Sequence, residues 1–177
     1  MIIFDDMIHS IKNIFFIVVL FIIFQLNCCH RNIYSDPFWD INLSTDKTTI
    51  LKKLNEQALK GNFKSCIFSF ERKFYVQTQN FDARLTGNLS YPVFVNDELN
   101  KISYSFLVEF KNERTYTFNN DFYRYFVGEL EKNYGKPREE KVEAETINIK
   151  WLVNNRWTVT AHVLKDMNTY QVTVSKT

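Results

Sequence analysis

The chain has 177 residues and nearly balanced charge, with 22 Lys and Arg against 20 Asp and Glu and a formal net charge of +2. So small a charge argues against a nucleic-acid-binding protein, whose contact surface is strongly basic. The three cysteines, Cys28, Cys29 and Cys66, have spacings that match neither a disulfide framework nor a metal motif.

The N-terminal segment contains an uninterrupted apolar run of 11 residues, Ile14–Phe24. This length suits the hydrophobic region of a signal peptide and is well below the roughly 20 residues that a membrane-spanning helix needs. Lys12 precedes the run and supplies the positive charge that a signal peptide carries there. Acidic residues near Met1 make Met7 the better candidate for the true start.

The residues after the run are Gln25-Leu26-Asn27-Cys28-Cys29. They resemble the lipobox of bacterial lipoproteins, in which Leu lies three residues before the Cys that becomes the acylated N-terminus. Leu26 has that spacing from Cys29 and lies two residues before Cys28. The resemblance implies lipid on Cys29 or Cys28 and a lipoprotein of the cell envelope, on the outer membrane or facing the periplasm. An uncleaved membrane anchor and an ordinary signal peptide are the alternatives.

We therefore divide the chain into a signal peptide with lipobox (residues 1–29), a tether (residues 30–43) and a single α+β domain (residues 44–177). The tether contains the turn signal Ser35-Asp36-Pro37. Its apolar residues Phe38, Trp39 and Ile41 are expected to dock on the domain rather than to form an exposed patch.

Two helices are predicted. The first begins near Ser44-Thr45-Asp46, whose side chains are good N-caps, and ends at Gly61. The second is capped by Asn119, Asn120 or Asp121 and ends at Gly135. Apolar residues recur along both segments at the spacing of one helix face, which predicts that each helix packs on a core.

Strands are predicted wherever apolar residues alternate with polar ones. The clearest is Ile102–Phe110, and the last third of the chain gives three more strands with turns at Asn154-Asn155 and Lys165–Asn168. Gly87-Asn88 is expected to be a turn, and Arg138–Glu145 an exposed charged loop. Cys66 is expected to be a buried small hydrophobic residue.

The predicted architecture is an α+β fold, with one antiparallel sheet and both helices packed on one face. The second half of the chain resembles small exported bacterial domains of unknown function, on its helix ending in Tyr134-Gly135-Lys136-Pro137 and the Trp-containing hairpin that follows. That resemblance does not identify an active site in this chain.

The sequence contains few residues that could form a catalytic centre. After the signal segment the histidines are His30, in the tether, and His162, in a predicted strand on the side opposite Trp157 and Val159. A nucleophilic centre needs a base beside a nucleophile, and a metal site needs clustered ligands. We therefore predict that the protein is not an enzyme and binds no metal or cofactor.

The leading functional hypothesis is a lipid-anchored binding or scaffolding module, attached to the membrane through its N-terminal lipid and contacting an envelope protein. The alternative is an immunity or inhibitor protein that blocks a cognate toxin or an envelope hydrolase. Aromatic residues would provide anchors for a partner if exposed, although most are expected in the core. They are Tyr91, Phe94, Tyr104, Tyr116, Tyr123, Tyr125, Trp151 and Trp157.

Overall fold

A computed structural model of the protein describes residues 36–43, 45–67, 69–111 and 118–177. These residues fall within one compact unit that runs from Tyr34 to Thr177. The predicted signal peptide and the two candidate lipidation sites, Cys28 and Cys29, lie outside the described residues.

The described residues form two helices, α1 (Lys47–Leu59) and α2 (Asn120–Tyr134), and nine strands. The strands are β1 (Lys64–Ser65), β2 (Ser69–Gln77), β3 (Asp82–Ser90), β4 (Val93–Val95), β5 (Glu98–Phe110), β6 (Glu139–Val142), β7 (Thr146–Val153), β8 (Trp157–Leu164) and β9 (Thr169–Lys176).

All nine strands belong to one antiparallel sheet, in the order β1-β2-β3-β5-β9-β8-β7-β6, with β4 paired to β5 beside this path. Strands β1 to β5 form one half of the sheet, and α2 connects them to the other half. In that half β6 lies at the far edge, and β7, β8 and β9 follow in order toward β5. Strand β5, with 13 residues, lies between the two halves and pairs with both β3 and β9. The α+β class and the antiparallel sheet are as the sequence predicts.

One face of the sheet carries the core. Along β5, the side chains of Ile102, Tyr104, Phe106, Val108 and Phe110 are all buried. These are the positions that alternation assigned to one face of the predicted strand, and that prediction is confirmed. Each fully buried large apolar side chain contributes about 1.5–3 kcal/mol to folding, so this strand alone supplies a substantial share of the hydrophobic stabilisation.

Helix α2 packs on that buried face. Its buried residues Phe122, Phe126 and Leu130 recur every four positions. The ring centroid of Phe126 lies 4.9 Å from that of Tyr170 on β9 and 6.5 Å from that of Phe106 on β5. Helix α2 therefore spans the join between the two halves of the sheet.

The N-terminus of α1 and both ends of α2 lie at the predicted capping residues. The Asp46 side chain caps α1 and accepts a hydrogen bond from the Thr49 backbone N–H at 3.0 Å. Asn119 caps α2 in the same way through the N–H groups of Asp121 and Phe122. Gly135 ends α2 with a positive φ of 79°, a conformation that glycine adopts without the steric penalty of a Cβ atom.

The predicted turn at Gly87-Asn88 is wrong, since both residues lie inside strand β3. The glycine meets a packing requirement there. A Cβ atom at position 87 would lie 2.9 Å from Cδ1 of Phe106 and 3.3 Å from Cζ2 of Trp39. The absence of a side chain at Gly87 therefore leaves room for the rings of Phe106 and Trp39.

The predicted loop Arg138–Glu145 is also wrong in part, because Glu139–Val142 forms strand β6. This edge strand pairs with β7, and all four of its side chains are exposed. It carries Glu139, Glu140 and Lys141, and charged side chains of this kind protect a sheet edge from pairing with another chain. The expected exposure of the segment is correct, but its predicted conformation is not.

Cys66 is exposed, not buried as expected. It follows the two-residue strand β1, in the tight turn that leads into β2, and its backbone N–H donates to the Ser69 carbonyl at 2.8 Å. A turn at this point interrupts the alternation that placed Cys66 on an apolar face.

The segment Asp36–Leu43, which we assigned to the tether, packs into the core. Phe38, Trp39, Ile41 and Leu43 are buried, so the expected docking of the first three is confirmed. The Phe38 ring lies 4.8 Å from Phe106 and 5.5 Å from Phe126, measured between centroids. This segment is therefore part of the folded body.

Candidate functional site: the polar face of the sheet

The second face of the sheet is built from the residues that alternate with the core. On β5 these include Ser103 and Ser105, and on β9 they include Gln171 and Thr173. Their side chains are exposed or half-buried, in contrast to the fully buried neighbours on either side of them. Alternation along the central strands therefore produces a surface of mainly polar side chains.

The strand registers place these side chains in two parallel rows that cross seven strands. One row, here called the amide row, consists of Glu71, Asn88, Ser105, Gln171, His162, Asn148 and Lys141. The other, here called the hydroxyl row, consists of Ser69, Ser90, Ser103, Thr173, Thr160, Lys150 and Glu139. In this row Ser90 and Ser103 lie one position beyond the last register pair of β3 and β5, Leu89 with Tyr104, and both line the same depression. Together the two rows are called the polar face.

The spacing of the rows follows from sheet geometry. Neighbours within a row lie on adjacent strands, about 4.8 Å apart in the hydrogen-bonding direction. The two rows lie two residues apart on each strand, or roughly 7 Å. The polar face is thus a regular grid of donors and acceptors, with charged groups at both ends of the amide row and at one end of the hydroxyl row, and neutral groups elsewhere.

Some side chains on the grid pair with one another. The hydroxyl oxygens of Ser103 and Thr173 lie 3.1 Å apart. His162 Nδ1 lies 2.7 Å from Asn148 Oδ1. Because an amide oxygen only accepts, this contact requires the hydrogen on Nδ1, and Nε2 of the neutral imidazole is then an acceptor.

Other side chains on the grid are available to a ligand. Within the described part of the chain, the side chains of Asn88, Ser90, Ser105 and Gln171 form no hydrogen bond with another protein group. Each carboxamide offers two donor hydrogens and an acceptor oxygen, and each hydroxyl offers one donor and an acceptor. These groups can therefore exchange water for a polar ligand without breaking protein contacts.

A shallow depression of about 320 Å³ lies where both rows cross β3, β5 and β9. The side chains that line it are all uncharged, and they include Asn88, Ser90, Ser103, Ser105, Gln171 and Thr173. The centre of the polar face is therefore concave, neutral and rich in hydrogen-bonding groups.

A buried acidic side chain with a perturbed pKa, Asp36, lies away from this face. Its side chain is 1% exposed, and burial raises its pKa to about 6. Oδ1 accepts hydrogen bonds from the N–H groups of Phe38 at 3.0 Å and Trp39 at 2.9 Å, and the Tyr134 hydroxyl lies 3.4 Å from Oδ2. These contacts lower the pKa but do not outweigh desolvation.

Two buried tyrosines complete the Asp36 cluster. The Tyr104 hydroxyl faces the same carboxylate and lowers its pKa, although no hydrogen bond of ordinary geometry joins the two groups. Desolvation, followed by the Asp36 charge, raises the pKa values of Tyr104 and Tyr134 well above the ordinary tyrosine value. These side chains are closed to solvent. The cluster therefore fixes the segment Asp36–Leu43 on the body and offers no access to a substrate.

A second depression, of about 390 Å³, borders α1 and β2 and contains cationic residues. Arg72 Nη1 donates to the Phe38 carbonyl at 2.5 Å, and its guanidinium lies 4.7 Å from the centroid of the Phe74 ring. Lys53 forms an ion pair with Asp40 at 2.6 Å. Lys73, the third cation of the depression, forms an ion pair with Glu71. All three cations thus hold protein partners, and two of them fasten the segment Asp36–Leu43 to the body.

The structure places the other residues that the sequence singled out as follows. His162 lies on the polar face, on the side opposite Trp157 and Val159 as predicted. Among the aromatic candidates for contact with a partner, Tyr104, Trp151 and Trp157 are in the core, whereas Tyr91 is exposed and stacks on Phe70. Phe94, Tyr123 and Tyr125 are partly buried against the core, and Tyr116 lies outside the described residues.

Two further features are absent from the described residues. These residues contain no group of three or more His, Cys, Asp or Glu side chains placed to hold a metal ion. The described helices include none with the length and hydrophobicity that crossing a membrane requires.

Comparison of the whole chain with known protein families, with curated proteins and with solved structures gave no match. The functional argument therefore depends on the residues and on their geometry.

Proposed function

We propose that this protein is a lipid-anchored binding module of the bacterial cell envelope, and that the polar face is the surface it offers to its partner. The observation that carries the proposal is the grid itself. Two rows of hydrogen-bonding side chains cross seven strands with exposed or half-buried side chains. The anchor follows from the apolar run and the cysteine pair of the N-terminal segment.

The arrangement of the two helices supports the availability of this face. We propose that α1 and α2 both cover the opposite, apolar face of the sheet. The buried residues of α1, Ile50 and Leu54, belong to the same hydrophobic core as Phe126 of α2 and the inward residues of the strands. With both helices on the apolar side, the polar face remains open along its length.

The chemistry of the face supports binding rather than catalysis. A histidine that acts as a general base in nucleophilic catalysis is oriented by an acidic side chain and lies beside a nucleophile. The histidine of the grid, His162, is half-buried, and its Nδ1 contacts the neutral side-chain amide of Asn148 rather than a carboxylate. The buried acid with a perturbed pKa, Asp36, belongs to a cluster that is closed to solvent.

Photocrosslinking from the polar face tests this proposal. A photoreactive phenylalanine analogue replaces Gln171, at the centre of the grid, in cells that produce the full chain. The matched control places it at Gln79, which is exposed in the turn after β2. We expect an envelope adduct from position 171, none from position 79, and loss of the adduct when Asn88→Lys is added.

Adducts of equal yield at both positions, or none at position 171, would contradict the proposal. The identity of the adduct distinguishes the kinds of partner. An adduct with an envelope hydrolase would support the inhibitor hypothesis over the scaffolding hypothesis.

A further inference from the structure

We propose that the polar face binds a neutral glycan strand that lies across the strands of the sheet, along the two rows. This inference rests on the proposed function, since it takes the polar face as the binding surface. It adds the chemical class of the ligand.

Charge is the first argument for a neutral ligand. The charged residues lie at the ends of the rows and have both signs, with Glu71 and Lys141 ending one row and Lys150 and Glu139 at one end of the other. The depression between the rows is lined by uncharged side chains. Nucleic acids and acidic polymers are held through arrays of Lys and Arg, which the centre of this face does not provide.

Hydrogen-bonding capacity is the second argument. A glycan presents many hydroxyl groups that both donate and accept, and the carboxamides of Asn88 and Gln171 and the hydroxyls of Ser90 and Ser105 have the same dual capacity. These side chains form no hydrogen bond with another protein group in the described part of the chain. A ligand that is polar along its length can pair with each of them in turn.

The repeat of the grid is the third argument. Equivalent positions recur about every 4.8 Å along a row, because that is the distance between strands. A linear glycan repeats its sugar units on a similar scale of length. Successive sugars can therefore meet successive strands, whereas an extended peptide binds most readily by adding to a sheet edge.

Apolar contact is the fourth argument. The row beyond the amide row contains Leu107 and Leu164, both paired across the sheet with Thr169 and both half-buried. Sugar rings carry C–H faces as well as hydroxyl edges, so these leucines provide packing beside the hydrogen-bonding grid. The two isolated leucines do not form the large hydrophobic centre that is typical of a protein interface.

Calorimetric titration of the full-length protein in detergent tests the inference. The probes are hexasaccharides of β-1,4-linked N-acetylglucosamine, β-1,4-linked glucose and α-1,4-linked glucose, with a galacturonic acid hexamer as the acidic contrast. The test variant is Asn88→Ala with Gln171→Ala. The matched control is Asn55→Ala with Gln79→Ala, which removes the same groups from exposed positions on α1 and in the turn after β2.

We expect a neutral hexasaccharide to bind the wild type and the control equally, and the test variant at least about tenfold more weakly, because two hydrogen-bonding groups are lost. Equal binding by the test variant would overturn the inference, as would binding of the acidic hexamer alone. So would the failure of every neutral hexasaccharide at roughly 10 mM, which reveals ligands weaker than millimolar.

The crosslinking experiment separates failure of this inference from failure of the proposed function. A position-171 adduct whose added mass is removed by glycosidases supports the glycan inference. An adduct whose protease digest contains peptides of a second protein overturns the glycan inference and leaves the binding function in place.

Discussion

Asp36 shows how one buried carboxyl links stability to pH. Its folded pKa of about 6 lies above the ordinary value, mainly because burial penalises the charged form. The folded state therefore holds the proton more tightly than the unfolded chain does. The resulting stabilisation is complete below about pH 4 and is lost as the pH rises through about 6.

We predict that the free energy of unfolding falls by roughly 3 kcal/mol between about pH 4 and pH 7 on account of this group. Asp36→Asn removes the titration but keeps an oxygen to accept from the Phe38 and Trp39 N–H groups. Urea denaturation across this pH range should therefore show a much flatter profile for the variant than for the wild type.

The control for this prediction is Asp97→Asn, since the Asp97 side chain is 85% exposed. Asn also tolerates the positive φ of 52–62° found at the Asn96-Asp97 turn. The control should keep the wild-type pH dependence. A wild-type profile that matches that of Asp36→Asn would mean that Asp36 is not the group responsible.

Strand β3 shows how a glycine can be required within a regular element. Gly87 lies where the Phe106 and Trp39 rings approach the backbone, so Gly87→Ala should destabilise the protein by about 1–3 kcal/mol through overpacking. A Cβ atom added at Gly128, inside α2, would have no atom within 4 Å apart from its chain neighbours and the adjacent backbone of the helix itself. Gly128→Ala should therefore stabilise the protein by about 0.5–1 kcal/mol.

Thermal or chemical unfolding of the two alanine variants measures both effects on one protein. Opposite signs are expected because Ala improves helix propensity at position 128 and collides with the core at position 87. Destabilisation of similar size at both positions would contradict the packing explanation for Gly87.

Sequence patterns are sufficient to predict some of the helices and strands but not others. Alternation predicts β5 because its buried residues are all large and apolar, and the caps predict α2 because Asn119 and Gly135 mark its ends. Gly87 and Asn88 have turn chemistry, yet the sheet overrides it. Strand β6 carries no alternating apolar residues, so only its pairing with β7 defines it.

The polar face could be predicted only in part for a related reason. The sequence places Ser103 and Ser105 opposite the apolar side of β5. It does not predict that Ser105 lies beside Gln171, because this depends on the pairing of β5 with β9. One helix and three strands separate these two strands in the sequence. Long-range register is a property of the folded sheet and leaves no local signal.

At the scale of the whole molecule, the two faces of the sheet have separate roles. The apolar face holds α2 and the segment Asp36–Leu43, whose Phe38 ring packs between Phe106 and Phe126. The segment Asp36–Leu43 is thus joined to the central strand of the body through core contacts.

The last prediction concerns this attachment. The apolar run Ile14–Phe24 is too short to span a bilayer with ease and ends just before a Leu and two cysteines. We predict that the mature protein carries lipid on Cys29 or Cys28 and partitions into detergent. A single acyl chain gives only marginal membrane binding, whereas the several chains of a lipoprotein N-terminus anchor it stably.

Mass spectrometry of the mature N-terminus measures this directly, and serine variants assign the site. Cys29→Ser should abolish lipidation if Leu26 directs modification to the third residue beyond it, whereas Cys28→Ser should then have no effect. The reverse result would place the lipid on Cys28. An unmodified peptide that contains both cysteines would contradict the lipidation, and an intact start at Met1 or Met7 would show an uncleaved anchor, in which case the apolar run itself would hold the protein.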